Sequence, residues 1–297
     1  MSTANQPLVS ALTVSYNVRE LLLETLRSLQ GGSHVPLQLV VVDNASSDGS
    51  ADAVEAEFPE ATVIRLARNE GFGRANNVGL KSVQGRFVLL VNPDLQVQPG
   101  CVDRLADLLL TRPDAAAVGP RIRRPDGKLD LAARRSFPTP ATSFYRLTGL
   151  NRLFPHSRRF NRYNLGHRPE GELQEIDSGT GACLMLRRSA VDKVGFFDPD
   201  FFMYGEDLDL CLRLKRAGWK VYYQPAAEAV HVKGASSRQE TLRMLYHFHR
   251  SMWLFHLKHY AADRAAFGTG LVWLFIWARW AALAIRASLM SEAAVSP

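Results

Sequence analysis

The chain has 297 residues, 46% hydrophobic and 22% charged, with 36 Lys and Arg against 29 Asp and Glu for a net charge of +7. That balance excludes global disorder and leaves room for one large domain or two small ones. The basic excess suits an anionic partner (a nucleotide, a diphosphate or an anionic membrane surface), whereas no zinc-finger spacing and no RNP-like motif points to nucleic acid.

Residues 8–16 form an apolar, β-branched run of strand length. Asn17 reads as the N-cap of a helix over 19–30, whose stripe is Leu22, Leu26 and Leu29 and whose stop is Gly31-Gly32. A second strand over 37–43 ends on Asp43. A polar turn at 44–50 then feeds a helix at 51–58, and 62–66 is a third strand. The Gly- and Asn-rich residues 68–77 open the next helix. A fourth strand over 86–91 ends in Asn92-Pro93-Asp94. Near-continuous apolar strands alternating with helices predict an α/β fold with a mostly parallel sheet covered by helices on both faces. In such sheets ligands bind beyond the carboxyl ends of the strands, where Tyr16, Asn17, Asp43 and Asp94 fall.

A helix over 101–110 and a strand at 115–119 come next. Residues 121–175, rich in Arg, Pro and aromatics, read as a long excursion that helps form an acceptor site. The short Arg runs at 121–124 and 134–135 have as their simplest reading a solvated face. Residues 176–187 predict a Gly-rich turn into a strand, 189–194 a short helix, and 220–223 and 228–234 two further strands, the last carrying His231. Cys101, Cys183 and Cys211 form no CxxC pair and read as reduced packing residues of a cytoplasmic protein. Residues 1–6 lack the apolar core of a signal peptide.

The most telling stretch is 201–219. Aromatic residues and Gly205 precede Glu206, Asp207 and Asp209; a helical apolar pattern starts at Leu208 and Gly218 closes it. Carboxylates on a first helical turn are favoured in the ionised form by free N–H groups and the helix dipole. Taken singly, each motif has an ordinary reading: a helix cap for Glu206 and Asp207, a turn for Asp43 and Asp94, a core histidine for His231. No GxGxxG follows the first strand, which argues against a dinucleotide-binding dehydrogenase.

In their order, these pieces resemble the GT-A glycosyltransferases of family 2, most of all the bacterial rhamnosyltransferase branch that builds cell-wall or lipopolysaccharide O-antigen glycans. The resemblance covers about residues 8–235. It implies a catalytic domain over 1–235, with a nucleotide-sugar half at about 8–120 and an acceptor half at about 121–235. It implies that Tyr16, Asn17 and Asp43 hold the base, that Asn69, Gly73 and Asn76 line the nucleotide site, and that Asn92 meets ribose or sugar. By the same likeness, Asp94 and His231 hold a divalent metal (Mg²⁺ or Mn²⁺), with Asn92 standing where the family usually has the first Asp of DxD. Asp207 matches the base of an inverting displacement, Glu206 is the alternative, and Asp209 is structural. The implied donor is dTDP-L-rhamnose, with UDP-Gal, UDP-GlcNAc or UDP-Galf as the alternatives and a glycan or polyprenyl-diphosphate-linked sugar as acceptor. The rival from another class is a non-catalytic nucleotide- or glycan-binding module.

Residues 236–297 change character. The histidines at 247, 249, 256 and 259 read as solvated side chains of a basic amphipathic helix. Residues 268–290 are apolar and Trp-rich but carry Arg279 and Arg286, which suits a helix lying in a membrane interface at the inner face of the plasma membrane, or one packed on the catalytic domain or on a second subunit of a homodimer.

Overall fold

The computed structural model describes residues 7–231, 241–262 and 266–293. Strand β1 (Val9–Ser15) is buried along its whole length and pairs in parallel with β2 (Leu37–Asp43). Beyond β2 lies β3 (Thr62–Arg65), and on the other side of β1 lies β4 (Phe87–Val91), both also parallel. Helices α1 (Arg19–Gly32), α2 (Ser50–Glu57) and α3 (Phe72–Leu80) make the crossovers. The predicted alternation of parallel strands and helices over residues 8–91 therefore forms as read. Leu22, Leu26 and Leu29 are buried to 1% exposure or less and pack with Leu12, Leu89 and Leu90 in the main core; each such side chain contributes about 1.5–3 kcal/mol. The helix cap differs, because Asn17 takes a left-handed conformation (φ 53°) and Val18 occupies the cap position.

Downstream, the sheet becomes mixed. Its order runs β3-β2-β1-β4, then β8 (Cys183–Arg187), β6 (Ala115–Arg123), β9 (Lys220–His231) and β5 (Leu95–Val97), with β7 (Gln174–Ile176) on β9. Strand β5 (Leu95–Val97) is too short to show a period in sequence and is antiparallel to the later β9. After α4 (Cys101–Thr111), β6 (Ala115–Arg123) extends beyond the predicted 115–119. The excursion holds a 3-10 turn at Leu131–Ala133, α5 (Pro140–Leu147), α6 (Leu150–Leu153) and β7 (Gln174–Ile176). Then come β8 (Cys183–Arg187), antiparallel between β4 and β6, α7 (Arg188–Val194), α8 (Glu206–Arg216) and β9 (Lys220–His231). The two strands expected at 220–223 and 228–234 are one. A register jump between Pro120↔Gln224 and Arg121↔Glu228 carries β9 through the Pro225 segment, where a missing N–H would break an uninterrupted ladder. Residues 232–234 of the second expected strand lie outside the described residues.

Helices α9 (Thr241–His259) and α10 (Ala266–Ala293) follow. The expected solvated histidines are not solvated: His249, His256 and His259 are buried, and His247 stacks on Phe202 at 4.4 Å. Composition alone could not reveal this, because the partners are distant in sequence: His249 meets Arg279 and His256 meets Thr269 of α10, His259 meets Asp209 of α8, and His247 meets Phe202 of the loop ahead of α8. The three cysteines are buried and unbridged, as read.

Candidate active site at the carboxyl ends of the strands

The parallel register sets Ser15 level with Asp43, so the turns after β1 and β2 share one rim. Asn17 Oδ1 accepts from Ser47 N at 2.8 Å, and Ser46 Oγ accepts from Asn17 N at 3.0 Å, which joins the two turns. Asp43 is buried and receives Ser46 N through Oδ2 at 3.2 Å, whereas its Oδ1 has no hydrogen-bond partner among the described residues. A buried carboxylate oxygen without a donor carries a desolvation cost that a base N–H would relieve. Tyr16 stands next to it in the fold's rim, half-buried.

Three expected nucleotide contacts turn out to be engaged inside the protein. Asn69 Oδ1 accepts from Asn44 Nδ2 (3.0 Å) and Gly71 N (2.9 Å), and buried Asn76 donates to Phe72 O at 2.9 Å. A Cβ at Gly73 would sit 3.0 Å from Phe201 O. These residues shape the wall and the loop that backs it. Gly71 is stricter still: its φ is +83°, and a Cβ there would collide with Phe202 O and the Phe202 ring.

At the end of β4, Asn92 donates its N–H to Ala182 O (2.8 Å), and its buried Oδ1 has no partner. Asp94 Oδ1 lies 3.1 Å from His231 Nε2, and the far ring nitrogen, Nδ1, lies 3.4 Å from Asp130 Oδ2. The ladder pair Leu95↔His231 on β5 and β9 creates this meeting across 137 residues of sequence. Burial works against the imidazolium, but the hydrogen bonds to Asp130 and Asp94 prevail and push its pKa up to about 9. Two atoms about 3 Å apart are spaced as neighbouring ligands on an ion with bonds of about 2.1 Å. Asp130 stands where an orienting carboxylate behind a metal-bound imidazole belongs. Among the described residues no third His, Cys, Asp or Glu completes a metal cluster, so the pair suits an ion that takes its remaining ligands from phosphate and water. Asp130 escapes a reading of the sequence because nothing local marks it.

The acidic turn opens α8 after Gly205 (φ 84°). Asp207 is buried and does not stand free. Its Oδ2 accepts from Arg135 Nη2 at 2.8 Å and from Gly181 N at 3.0 Å; among the described residues its Oδ1 accepts only from Leu208 N, at 2.7 Å. Arg135 is largely enclosed, with 12% of its side chain exposed, and also donates to Gly179 O. Burial opposes its charge, yet Asp207 raises its pKa above the usual guanidinium value. Arg135 thus belongs to the site and not to a solvated face, and its neighbour Arg134, which is buried, donates to Pro169 O and Arg168 O. Burial and the adjacent Asp207 charge push the Glu206 carboxyl up to about 8, and its buried Oε2 has no partner. Gly181 and Ala182 connect the two ends of the site: one binds Asp207, the other receives Asn92 N–H.

Asp209 faces away from this site, as expected. It pairs with Arg213 (2.7 Å) and His259 Nε2 (2.7 Å), so α9 is bolted to the back of α8. The loop before α8 is held by the same helix, with Ser251 Oγ on Met203 O (2.9 Å) and Lys258 Nζ on Asp198 and Asp200 (2.7 Å each). Phe72 N donates to Phe202 O at 2.8 Å, which joins that loop to α3.

A glycosyl transferase family 2 model matches residues 10–195, and a glycosyl transferase family group 2 model matches residues 178–294. The chain belongs to glycosyltransferase family 2 and is a glycosyltransferase. It is similar to the N-acetylglucosaminyl-diphospho-decaprenol L-rhamnosyltransferase of Mycobacterium tuberculosis, 33% identical over 258 residues that cover 82% of each chain. A low-salt glycan biosynthesis hexosyltransferase of Haloferax volcanii is 25% identical over 227 residues, 75% of this chain and 66% of its own. The GT-A fold is shared with a mannosyltransferase of Pyrobaculum calidifontis solved with GDP-Man and Mn²⁺, at a TM-score of 0.59 and 17% identity over 99% of this chain and 77% of that one.

Proposed function

We propose that this enzyme moves L-rhamnose from dTDP-L-rhamnose to a GlcNAc residue carried on a polyprenyl diphosphate, with inversion at the anomeric carbon. The mycobacterial likeness supports the sugar and the acceptor. The observation that carries the chemistry is the contact chain Asn92–Ala182–Gly181–Asp207, which sets a carboxylate beside the donor turn. Asp207 is anchored through Oδ2, and Oδ1, satisfied only by its neighbour's N–H, accepts the proton of the acceptor hydroxyl as that oxygen attacks. Arg135 keeps the carboxylate oriented. Glu206, neutral at pH 7, offers an O–H to position the acceptor. Asp43 Oδ1 binds the pyrimidine N–H, and Asn92 Oδ1 a ribose or sugar hydroxyl.

Asp94 and His231 would hold a divalent ion together with the donor diphosphate, with Asp130 behind the imidazole; when bound, that ion neutralises charge on the leaving nucleoside diphosphate. With Mg²⁺ or Mn²⁺ and a GlcNAc-diphosphate lipid, a panel of dTDP-rhamnose, UDP-Gal, UDP-GlcNAc and UDP-Galf is expected to yield product and free nucleotide with dTDP-rhamnose alone. Turnover with a UDP-sugar instead would reassign the donor. Binding of donor without turnover of any sugar would favour the non-catalytic module.

The same reading places the catalytic domain at 1–235, with donor and acceptor halves meeting near 120, on the cytoplasmic face of the membrane. The C-terminal helices provide attachment. The stretch Phe267–Ser288 is 22 residues long with a mean hydropathy of 1.4, and 6% of it is buried. Exposed Phe267, Leu271, Leu274 and Ile285 recur at helical spacing along one side, and Arg279 turns inward to His249 Nε2 at 2.8 Å. An exposed apolar stripe with Arg279 turned inward and Arg286 exposed beside it suits the interfacial layer, where an arginine head can reach water and headgroups. Removing residues 263–297 is expected to shift the protein from the membrane to the soluble fraction. A full-length chain that stays soluble and sediments as a dimer would assign the stripe to a second subunit.

A further inference from the structure

A cavity of about 340 Å³ lies apart from the strand-end site, between the excursion and β7. Its walls include Arg158, Arg162, His167 and Arg168, with Ser136 at the base. The excursion that forms it is unusual in charge, since residues 134–168 contain eight arginines and no Asp or Glu. Most of these arginines have tasks within the protein. Arg135 holds Asp207, Arg134 is bound to carbonyls, Arg146 lies over Tyr163, and Arg159 donates to Tyr145 Oη. The guanidinium groups of Arg158 and Arg162 have no hydrogen bond or ion pair among the described residues, and both face the cavity.

Two further groups there lack partners. Among the described residues, Ser136, 6% exposed, has no hydrogen bond to its buried Oγ, and the buried His167 Nδ1 is equally unsatisfied. The acidic side chains on the wall, Glu175 and Asp177, are already engaged by Lys215 Nζ at 3.1 Å each. What remains for a ligand is two unpaired guanidiniums, a hydroxyl and an imidazole. That set matches the several oxygens of a phosphoryl group, for which guanidinium is well shaped. The volume equals roughly eleven waters of about 30 Å³ each, ample for a diphosphate.

Location narrows the ligand further. Ser136 follows Arg135, the residue that holds Asp207, so the cavity and the proton acceptor are attached to consecutive residues. The excursion also exposes Phe144, Leu153 and Phe154, and its Arg146 lies near enough to Arg279 of α10 for their charges to interact. The excursion therefore approaches α10, the helix that carries the apolar stripe. We propose that the cavity lined by Arg158, Arg162, His167 and Ser136 binds the diphosphate of the lipid-linked acceptor, which presents the attached sugar to Asp207. This inference rests on the reading that the acceptor is a sugar on a polyprenyl diphosphate.

The test uses the full chain and the Arg158→Ala/Arg162→Ala double variant. Acceptors are GlcNAc-diphospho-farnesol and octyl β-GlcNAc, which lacks the diphosphate. The KM for the diphosphate acceptor is expected to rise about 10–100-fold, on the scale of one or two lost charge-assisted hydrogen bonds, while the KM for the octyl glycoside changes less than about threefold. An equal loss on both acceptors, or no loss on either, overturns the proposal. Direct binding keeps it testable if neither acceptor is used, an outcome that would sink the acceptor reading alone. With the donor site saturated by dTDP, calorimetry should show farnesyl diphosphate and inorganic pyrophosphate binding the wild type, and at least about tenfold weaker binding to the double variant. Wild-type protein that binds neither, or a double variant impaired only on phosphatidylglycerol vesicles, overturns it and in the second case assigns the arginines to membrane headgroups. Ser136→Ala, a milder change, should shift binding in the same direction by a fewfold.

Discussion

Asp207→Asn is expected to lower kcat about 10²–10⁴-fold, the range a positioned proton acceptor supplies, while dTDP-rhamnose binding stays within a fewfold of wild type. Asn keeps an oxygen for Arg135 Nη2 and Gly181 N but lacks the basicity of a carboxylate. Release of dTDP in single turnover, alongside donor titration, measures both halves. Glu206→Gln is the internal control. Its carboxyl is pushed up to about 8, so it is protonated at pH 7 and an amide reproduces it. That variant is expected to retain activity within about tenfold. The opposite pattern, with Glu206→Gln inactive and Asp207→Asn active, would move the proton acceptor to Glu206. Stability gives a second readout. The native state binds the Glu206 proton between about pH 4.5 and 8 whereas the unfolded chain has lost it, so wild type loses stability over that window as pH rises. Glu206→Gln should escape this loss, which is on the order of a few kcal/mol, and melt higher than wild type at pH 9.

Asp94→Ala is expected to remove metal-dependent donor binding and to lower kcat/KM by about 10³-fold or more. Asp130→Asn should act through His231 and weaken Mn²⁺ binding about 10–100-fold, as loss of the carboxylate behind a metal-bound histidine does. Calorimetric titration of Mn²⁺ into protein with dTDP reads the ion directly and does not depend on turnover. Unchanged Mn²⁺ affinity in both variants would show that the pair forms an internal salt bridge only.

The first half of the sheet was largely legible from sequence. Continuous apolar strands, their helical crossovers and the acids at their ends are local signals, and parallel pairing places those ends on one rim. The sheet's second half was less so. Strand β5 has three residues, β9 runs through a proline-containing bulge, and neither has a period that a window can catch. The site divides along the same line. Asp43, Asp94, Glu206, Asp207 and His231 are recognisable because each is chemically distinct and set in a motif. Arg135 and Asp130 are not, because their roles arise from contacts made 72 and 101 residues away.

Sequence by itself determined the α/β class, the rim on which the acids gather and the acidic turn that opens α8. Those follow from periodicity and from where chains must turn, which neighbouring residues dictate. Only tertiary structure decided that Asp207 is held by Arg135, that Asp94 meets His231 with Asp130 behind it, and that three of the α9 histidines are buried against α8 and α10. An ion pair or a buried imidazole depends on which distant segments the fold brings within hydrogen-bonding reach, and no local pattern encodes that.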